Sequence, residues 1–332
     1  MKSHGGLFAR IVEIENLRRA MEAAARGKRD RVAVARFLNE ADEELPRLRD
    51  ELDSGRYIPC RYRQFRVSDP KPRTISCSNF RDRVVHHAVC DVIGPLIERR
   101  FLFDTYACRK DKGTHRATAR AQELARQRVY FLKLDVASFF DSVDHKILLD
   151  LLARQFREPP LLALLETLVS APMAGAPPGK GLPIGNLTSQ WFANLYLDGA
   201  DHLVKETLRV PGYVRYMDDM VLFADSKAVL WAAHDALVRF LADERCLSLE
   251  ASATRLAPCA EGIPFLGMRV FPGTWRLQRG RFLRTRRRIR GKERAFLKER
   301  LSEERLARSA AAAQGILSWY GMKGVLPEGM EV

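Results

Sequence analysis

The stretch GYVRYMDDMVLFAD, residues 212–225, places two apolar half-strands on either side of adjacent aspartates. Val, Tyr, Phe and Leu at this density favour a pleated, buried conformation. Two acids between such runs read as a hairpin turn carrying Asp218 and Asp219. A second buried strand is read in VYFLKLDVASFF, Val129 to Phe140, where the strand ends in a carboxylate, Asp135. If the two segments lie side by side in one sheet, three carboxylates converge, and they repel one another unless hard cations neutralise them. Two Mg²⁺ ions about 4 Å apart, bridged by carboxylates, are the usual solution where an oxygen nucleophile attacks a phosphate. An Asp-Asp turn alone is most often a solvated hairpin tip. The aspartate-ended strand and the charge of the chain tip the reading toward catalysis.

That charge is large. The 332 residues carry a formal net charge of +15 and are 46% hydrophobic, so the chain can bury two or three subdomain cores and still attract a polyanion. No apolar run reaches the roughly 18 residues of a spanning helix, and the first turns lack an apolar secretory core. No membrane partner is expected, and a cytoplasmic location is. The six cysteines form no C-x-x-C pair and are read as reduced thiols. His86 and His87 are read as partly buried helix residues, because neighbours on a helix point in different directions.

Residues 7–52 show helical periodicity, and 56–80 alternate apolar and basic residues around a DPKP turn, as in a strand pair with a basic face. Helices are expected over Arg81–Ile97, after Ser142 as N-cap, over Leu161–Val169, Ser189–Glu206 and Lys227–Glu244. IPFLGMRVF and TWRLQ read as short strands. Between Arg276 and Arg300 stand 12 Lys/Arg against 2 Glu, too lopsided for an ordinary solvated helix. The expected fold is one continuous α+β unit with helical ends.

The series LKLDVASFFDSVDH, GLPIGNLTSQ, YMDD and FLG, in that order and spacing over about residues 56–270, resembles the motif series of reverse transcriptases. The resemblance implies a right-hand polymerase. Its parts would be an N-terminal helical section at 1–55, fingers at 56–130, a palm at 131–274 with a connector at 153–182, and a basic helical thumb at 275–332. It implies Asp135, Asp218 and Asp219 as catalytic residues and, with the backbone carbonyl of Val136, as ligands of two Mg²⁺ ions, for which Mn²⁺ could substitute. Phe140 matches the bulky residue that excludes a ribose 2′-hydroxyl. Lys71 and Arg73 match the basic finger strands that clamp a triphosphate, with Arg63 and Arg66 as secondary candidates. Ile184, Gly185 and Gln190 belong to the loop at the nascent base pair. Tyr216 and Met217, the Phe265–Leu266–Gly267 turn, and Arg284, Arg287 and Arg288 would contact primer and template. The lysine that protonates the leaving pyrophosphate in many relatives is replaced by Ala253, with Arg255 as a possible substitute.

Within that family the loop does the sorting. A Gln-Gly pair followed by Ser-Pro is usual, whereas this chain has Ile184-Gly185 and Ser189-Gln190. IGNLTSQ resembles the reverse transcriptases of diversity-generating retroelements. That resemblance implies error-prone copying at template adenines, a template-repeat RNA, an RNA/cDNA duplex, dNTP substrates, a small basic oligomeric accessory variability protein, and a bacterial or phage origin. Alternatives are a retron or group II intron-type enzyme, an RNA-dependent RNA polymerase, which Phe140 opposes, and a non-catalytic RNA-binding protein with this fold.

Overall fold

The computed structural model describes residues 5–67, 73–173 and 175–319, with the side chains of Arg73 and of 314–319 left aside. Four helices, α1 (Leu7–Val12), α2 (Ile14–Ala25), α3 (Val32–Asn39) and α4 (Ala41–Asp53), form the expected N-terminal section. A two-stranded antiparallel hairpin follows, β1 (Arg63–Val67) with β2 (Arg73–Cys77). It leads into α5 (Phe80–Glu98), which starts on Asn79, whose side chain accepts the Asp82 amide as an N-cap. The N-terminal helices are not an appendage. Asn16 donates across to the Ala88 carbonyl of α5 at 3.2 Å, and the Glu158 carboxylate accepts the first amides of α1 at 2.8 and 3.0 Å.

The centre is a four-stranded antiparallel sheet ordered β4-β5-β3-β6, from β3 (Tyr130–Leu134), β4 (Gly212–Tyr216), β5 (Asp219–Ala224) and β6 (Arg255–Pro258). Both faces are covered, which is why these strands read as nearly unbroken apolar runs. Leu132, Leu134, Met220 and Leu222 join one core with α5, α10 (Leu187–His202) and α11 (Lys227–Arg245). Phe131, Val214, Val221 and Phe223 join a second with α6 (Thr114–Gln127). Only three charged residues stand inside β3, β4 and β5, namely Lys133, Arg215 and Asp219. The open edge of β4 is covered by a loop. The Arg215 amide donates to the Asp104 carbonyl and the Tyr106 amide to the Arg215 carbonyl, both at 2.9 Å.

Between β3 and α10 lie α7 (Phe139–Ser142), α8 (His145–Gln155) and α9 (Pro159–Val169). The expected cap of α8 was Ser142; the cap found is Asp144, whose carboxylate accepts the Ile147 amide at 3.1 Å. Ser142 instead closes the short α7, so the helix starts two residues later. The helix expected over Ser189–Glu206 begins at Leu187 and passes into a π-helical turn at Leu203–Thr207. A three-stranded sheet, β7 (Ile263–Phe265), β8 (Met268–Val270) and β9 (Trp275–Leu277), then precedes the basic α12 (Arg279–Leu297) and α13 (Glu303–Trp319).

Candidate active site

The register decides where the carboxylates fall. Leu134 of β3 pairs with Met220 of β5, so one further step sets Asp135 across from Asp219. Tyr216 pairs with Asp219, leaving Met217 and Asp218 as the two-residue turn. Met217 holds φ at 56°, a left-handed conformation that costs a non-glycine residue about 1–2 kcal/mol. Strain of this kind persists only where the surroundings over-determine it.

Asp219 is largely enclosed, and its Lys133 neighbour on the same sheet face brings an ammonium to 3.1 Å of Oδ1. Burial pushes the Asp219 carboxyl up to about 7; Lys133 opposes the rise, while the charges of Asp135 and Asp218 add to it. The ammonium sits at ion-pair distance without hydrogen-bond alignment, so Oδ1 is buried with no hydrogen-bond partner. Among the described residues no three His, Cys, Asp or Glu side chains close into a metal-holding group. The register sets Asp135 across from Asp219 with Asp218 in the adjoining turn, while the Asp219 side chain leans on Lys133, a countercharge for neighbouring anions. A buried carboxylate oxygen that has an ammonium beside it but no aligned hydrogen bond, next to Asp135 and Asp218 in register, fits a hard divalent cation.

Val136 is bridged to Leu249 through bonds made by its neighbours, Ala137 N to Ser248 O and Glu250 N to Asp135 O. Its own amide and carbonyl therefore turn away from that segment, toward the side of the hairpin turn. Phe139 is buried, and Phe140 packs edge-on against it at 5.4 Å with part of its ring exposed. The β3–β6 ladder ends where Lys133 pairs with Arg255; Ala253 lies in the 3-10 turn Ala251–Ala253 beside that end, and the residue across from Asp135 is Glu250. Arg255 is engaged with Glu261 at 2.9 Å. The cation set against the carboxylates is Lys133, which sequence reading passed over; its signal was one lysine inside an apolar strand.

Ile184 lines a cleft of about 630 Å³ with Gln64, Arg66, Thr74, Ser76 and Asp141. Its carbonyl accepts the Ser76 amide at 3.1 Å, while its side chain offers no polar atom. Gly185 takes φ 122°, and a Cβ there would press on the Ser76 carbonyl at 3.3 Å. Beyond it, Asn186 donates to the Tyr62 hydroxyl at 3.1 Å, and Thr188 shares a buried hydrogen bond of 2.9 Å with His86. Burial drives the His86 imidazole down to about 3, so it stays neutral. Gln190 lies farther along, in a hollow of about 230 Å³ shared with Lys28, Arg31, Arg83 and His87. A larger cavity, about 970 Å³, lies between α8, α9 and the connector and is lined by none of the three aspartates.

The remaining expected residues divide. Phe265 is fully buried in the second core, so Leu266 and Gly267, with φ of 51° and 79°, form the half-buried outer part of that turn. Arg281 of α12 donates to the Leu266 carbonyl at 3.0 Å and ties the turn to the basic helix. Arg284, Arg287 and Arg288 are exposed, Tyr216 is half-buried and Met217 is nearly covered. Lys71 lies outside the described residues, as does the side chain of Arg73.

A family model described as reverse transcriptase (RNA-dependent DNA polymerase) matches residues 67–270. Protein YkfC of Escherichia coli is 26% identical over 271 residues, covering 68% of this chain and 71% of that protein. A putative COX1/OXI3 intron 1 protein of Saccharomyces cerevisiae is 22% identical over 176 residues, covering 50% of this chain and 21% of its own. Among solved structures, telomerase from Candida albicans with a telomeric RNA fragment aligns at 11% identity and a TM-score of 0.47. The alignment covers 67% of this chain and 46% of that one. A partial Cas6-RT-Cas1–Cas2 complex aligns at 18% and 0.43, covering 72% and 43%. The chain thus spans under half the length of these two structures. With the family model matching well over half of its residues, the chain belongs to the reverse transcriptase family of RNA-dependent DNA polymerases.

Proposed function

We propose that the protein makes error-prone cDNA from a template-repeat RNA of a diversity-generating retroelement, misincorporating mainly opposite adenine. The observation that supports this reading is Ile184, which lines the cleft between the finger hairpin and α7 with only its backbone hydrogen-bonded. A glutamine amide there would add a polar contact to the nascent pair. An apolar branched side chain leaves discrimination to shape alone, and shape alone separates similar partners weakly.

In this reading Asp135, Asp218, Asp219 and the Val136 carbonyl hold two Mg²⁺ ions. When bound, these ions lower the pKa of an attacking 3′-hydroxyl and neutralise the leaving pyrophosphate. Phe140, fixed by Phe139, blocks a ribose 2′-hydroxyl and selects dNTPs. The finger residues Lys71 and Arg73 hold the triphosphate, the 266–267 turn positions the primer end, and α12 tracks the RNA/cDNA duplex with Arg284, Arg287 and Arg288. Lys133 keeps Asp219 from repelling its neighbours. A small basic accessory protein and a cytoplasmic setting complete the proposal, and no helix among the described residues is long and apolar enough to cross a membrane.

A retron or intron-type enzyme is the second reading, favoured by the likeness to an intron protein. Copying a mixed-sequence RNA with the purified protein and sequencing the cDNA separates the two. Errors clustered at template adenines are expected; uniformly low errors would favour the second reading.

A further inference from the structure

Among the described residues, the most enclosed charges sit behind the Met217–Asp218 turn. Arg215 and Asp201 are both completely buried, and the guanidinium grips the carboxylate with two bonds of 2.6 Å, from Nε to Oδ1 and from Nη2 to Oδ2. Tyr213 donates its hydroxyl to Oδ1 at 2.6 Å and Thr105 donates to Oδ2 at 2.9 Å, so the carboxylate is fully engaged. The remaining nitrogen, Nη1, donates to Asn194 Oδ1 at 3.1 Å and to the Met217 carbonyl at 3.0 Å. That carbonyl belongs to the peptide joining the left-handed Met217 to Asp218.

A buried ion pair is poor evidence of stabilisation, because apolar residues of similar volume often serve the fold as well. This one differs from a simple staple in where its spare donor goes. Asn194 and Asp201 project from α10, Arg215 from β4, and the bond to Met217 fastens the turn to both. We infer that Arg215, locked by Asp201, is a positioning residue that pins the Met217 peptide and thereby aims the Asp218 carboxylate. The left-handed turn is held from behind by a planar donor that reaches two acceptors at once. Lysine cannot reproduce this, since its single ammonium cannot fork on Asp201 and still reach Met217.

The inference rests on Asp218 serving the reaction, so its test includes readouts in the metal-free chain. Arg215→Lys, Asn194→Ala and Tyr213→Phe are made in the full-length protein. Hydrogen exchange of the 216–219 amides and the methyl resonance of Met217 are recorded without metal. Mn²⁺ binding is then measured by electron paramagnetic resonance, and kcat and KM for dNTP on a primed RNA. For Arg215→Lys, exchange at the turn is expected to speed up about tenfold or more relative to Leu222 and Phe223, as one charge-assisted hydrogen bond is lost. Mn²⁺ binding weakens, and kcat falls while KM holds. Asn194→Ala keeps the ion pair and gives a smaller change in the same direction. It carries the test if the lysine variant does not fold. Tyr213→Phe lowers the melting temperature and leaves turn exchange and Mn²⁺ binding unchanged. The inference is overturned if turn exchange and Mn²⁺ binding in the folded Arg215 or Asn194 variants match wild type, or if Tyr213→Phe changes them equally. Should Asp218→Asn extend primers normally, the site reading fails, while the exchange data still judge the brace.

Discussion

Two turns frame the proposed chemistry, and they are held in different ways. The Met217–Asp218 turn is pinned by a fully buried guanidinium whose other bonds go to Asp201 and Asn194, with the Asp201 carboxylate held in turn by Tyr213 and Thr105. The Ile184–Gly185 loop and the helix start after it are held by neutral single bonds from β2, α5 and the segment before β1, through Ser76, His86 and Tyr62. Both hang on α10, the loop at its start and the brace at Asn194 and Asp201 farther along. Charge geometry is stiff, and a neutral bond contributes only about 0.5–1.5 kcal/mol. The contrast teaches that the position of the carboxylates tolerates little change, whereas the Ile184–Gly185 loop, which the proposal sets at the base pair, can be retuned one bond at a time.

The strongest attempt to break this contrast is Asp218→Asn. Primer extension should fall about 10³-fold or more while the melting temperature holds, because a charge on the metal-facing side is lost without loss of packing. A loss below tenfold in single-turnover extension would place the chemistry elsewhere. His86→Leu strikes the loop's buried anchor and leaves the Thr188 hydroxyl without its partner. A cost of about 1–3 kcal/mol in urea unfolding is expected, with the error spectrum altered. The wild type also reports on this anchor through pH. His86 takes up a proton near 6.5 when unfolded but only at about 3 when folded, so its share of stability grows as pH rises between those values.

Ile184→Gln sharpens the comparison from the other side. One hydrogen bond restored to the nascent pair should reduce errors opposite adenine about two- to tenfold, with little change in the rate of correct insertion. An unchanged error spectrum would detach Ile184 from fidelity. At the carboxylates, Asp219 titrates at about 7 in the folded chain, above its ordinary range. The folded state therefore holds the extra proton between about 4 and about 7, and the stability of the metal-free protein declines as pH climbs through that window. Mg²⁺ binding should strengthen over the same window, and calorimetry at pH 6 and 8 reads the difference. The smallest effect is expected on α12, where Arg288→Gln should lower the salt dependence of duplex binding by about 0.9 in log–log slope if it meets one phosphate.

Much of this site was legible in linear form. The strands announced themselves because they are apolar on both faces, and Asp135, Asp218 and Asp219 stood out at their ends. The basic stretch after Arg276 was equally plain, and becomes the exposed α12. What stayed hidden were partners far apart in the chain. Lys133, Arg215 and Asp201 each left a trace, a charge in an apolar strand or a polar residue on an apolar helix, with Asn194, Asp198 and Asp201 at i, i+4 and i+7. Periodicity cannot say which of these meet. Phe265 shows the converse, a residue in the right motif whose side chain went to the core. Asp144 displaced Ser142 as cap because the end of α7, a tertiary matter, set where α8 could begin.

The sequence alone determined the strand and hairpin order, the three aspartates and the family motif series, because these depend on local apolar runs and fixed spacing. Only the tertiary structure decided that Asp219 leans on Lys133, that His86 stays neutral against Thr188, and that Arg215 reaches Met217. Those outcomes depend on how much water each group loses and which charge is left beside it, and both are set by elements that meet only when the chain folds.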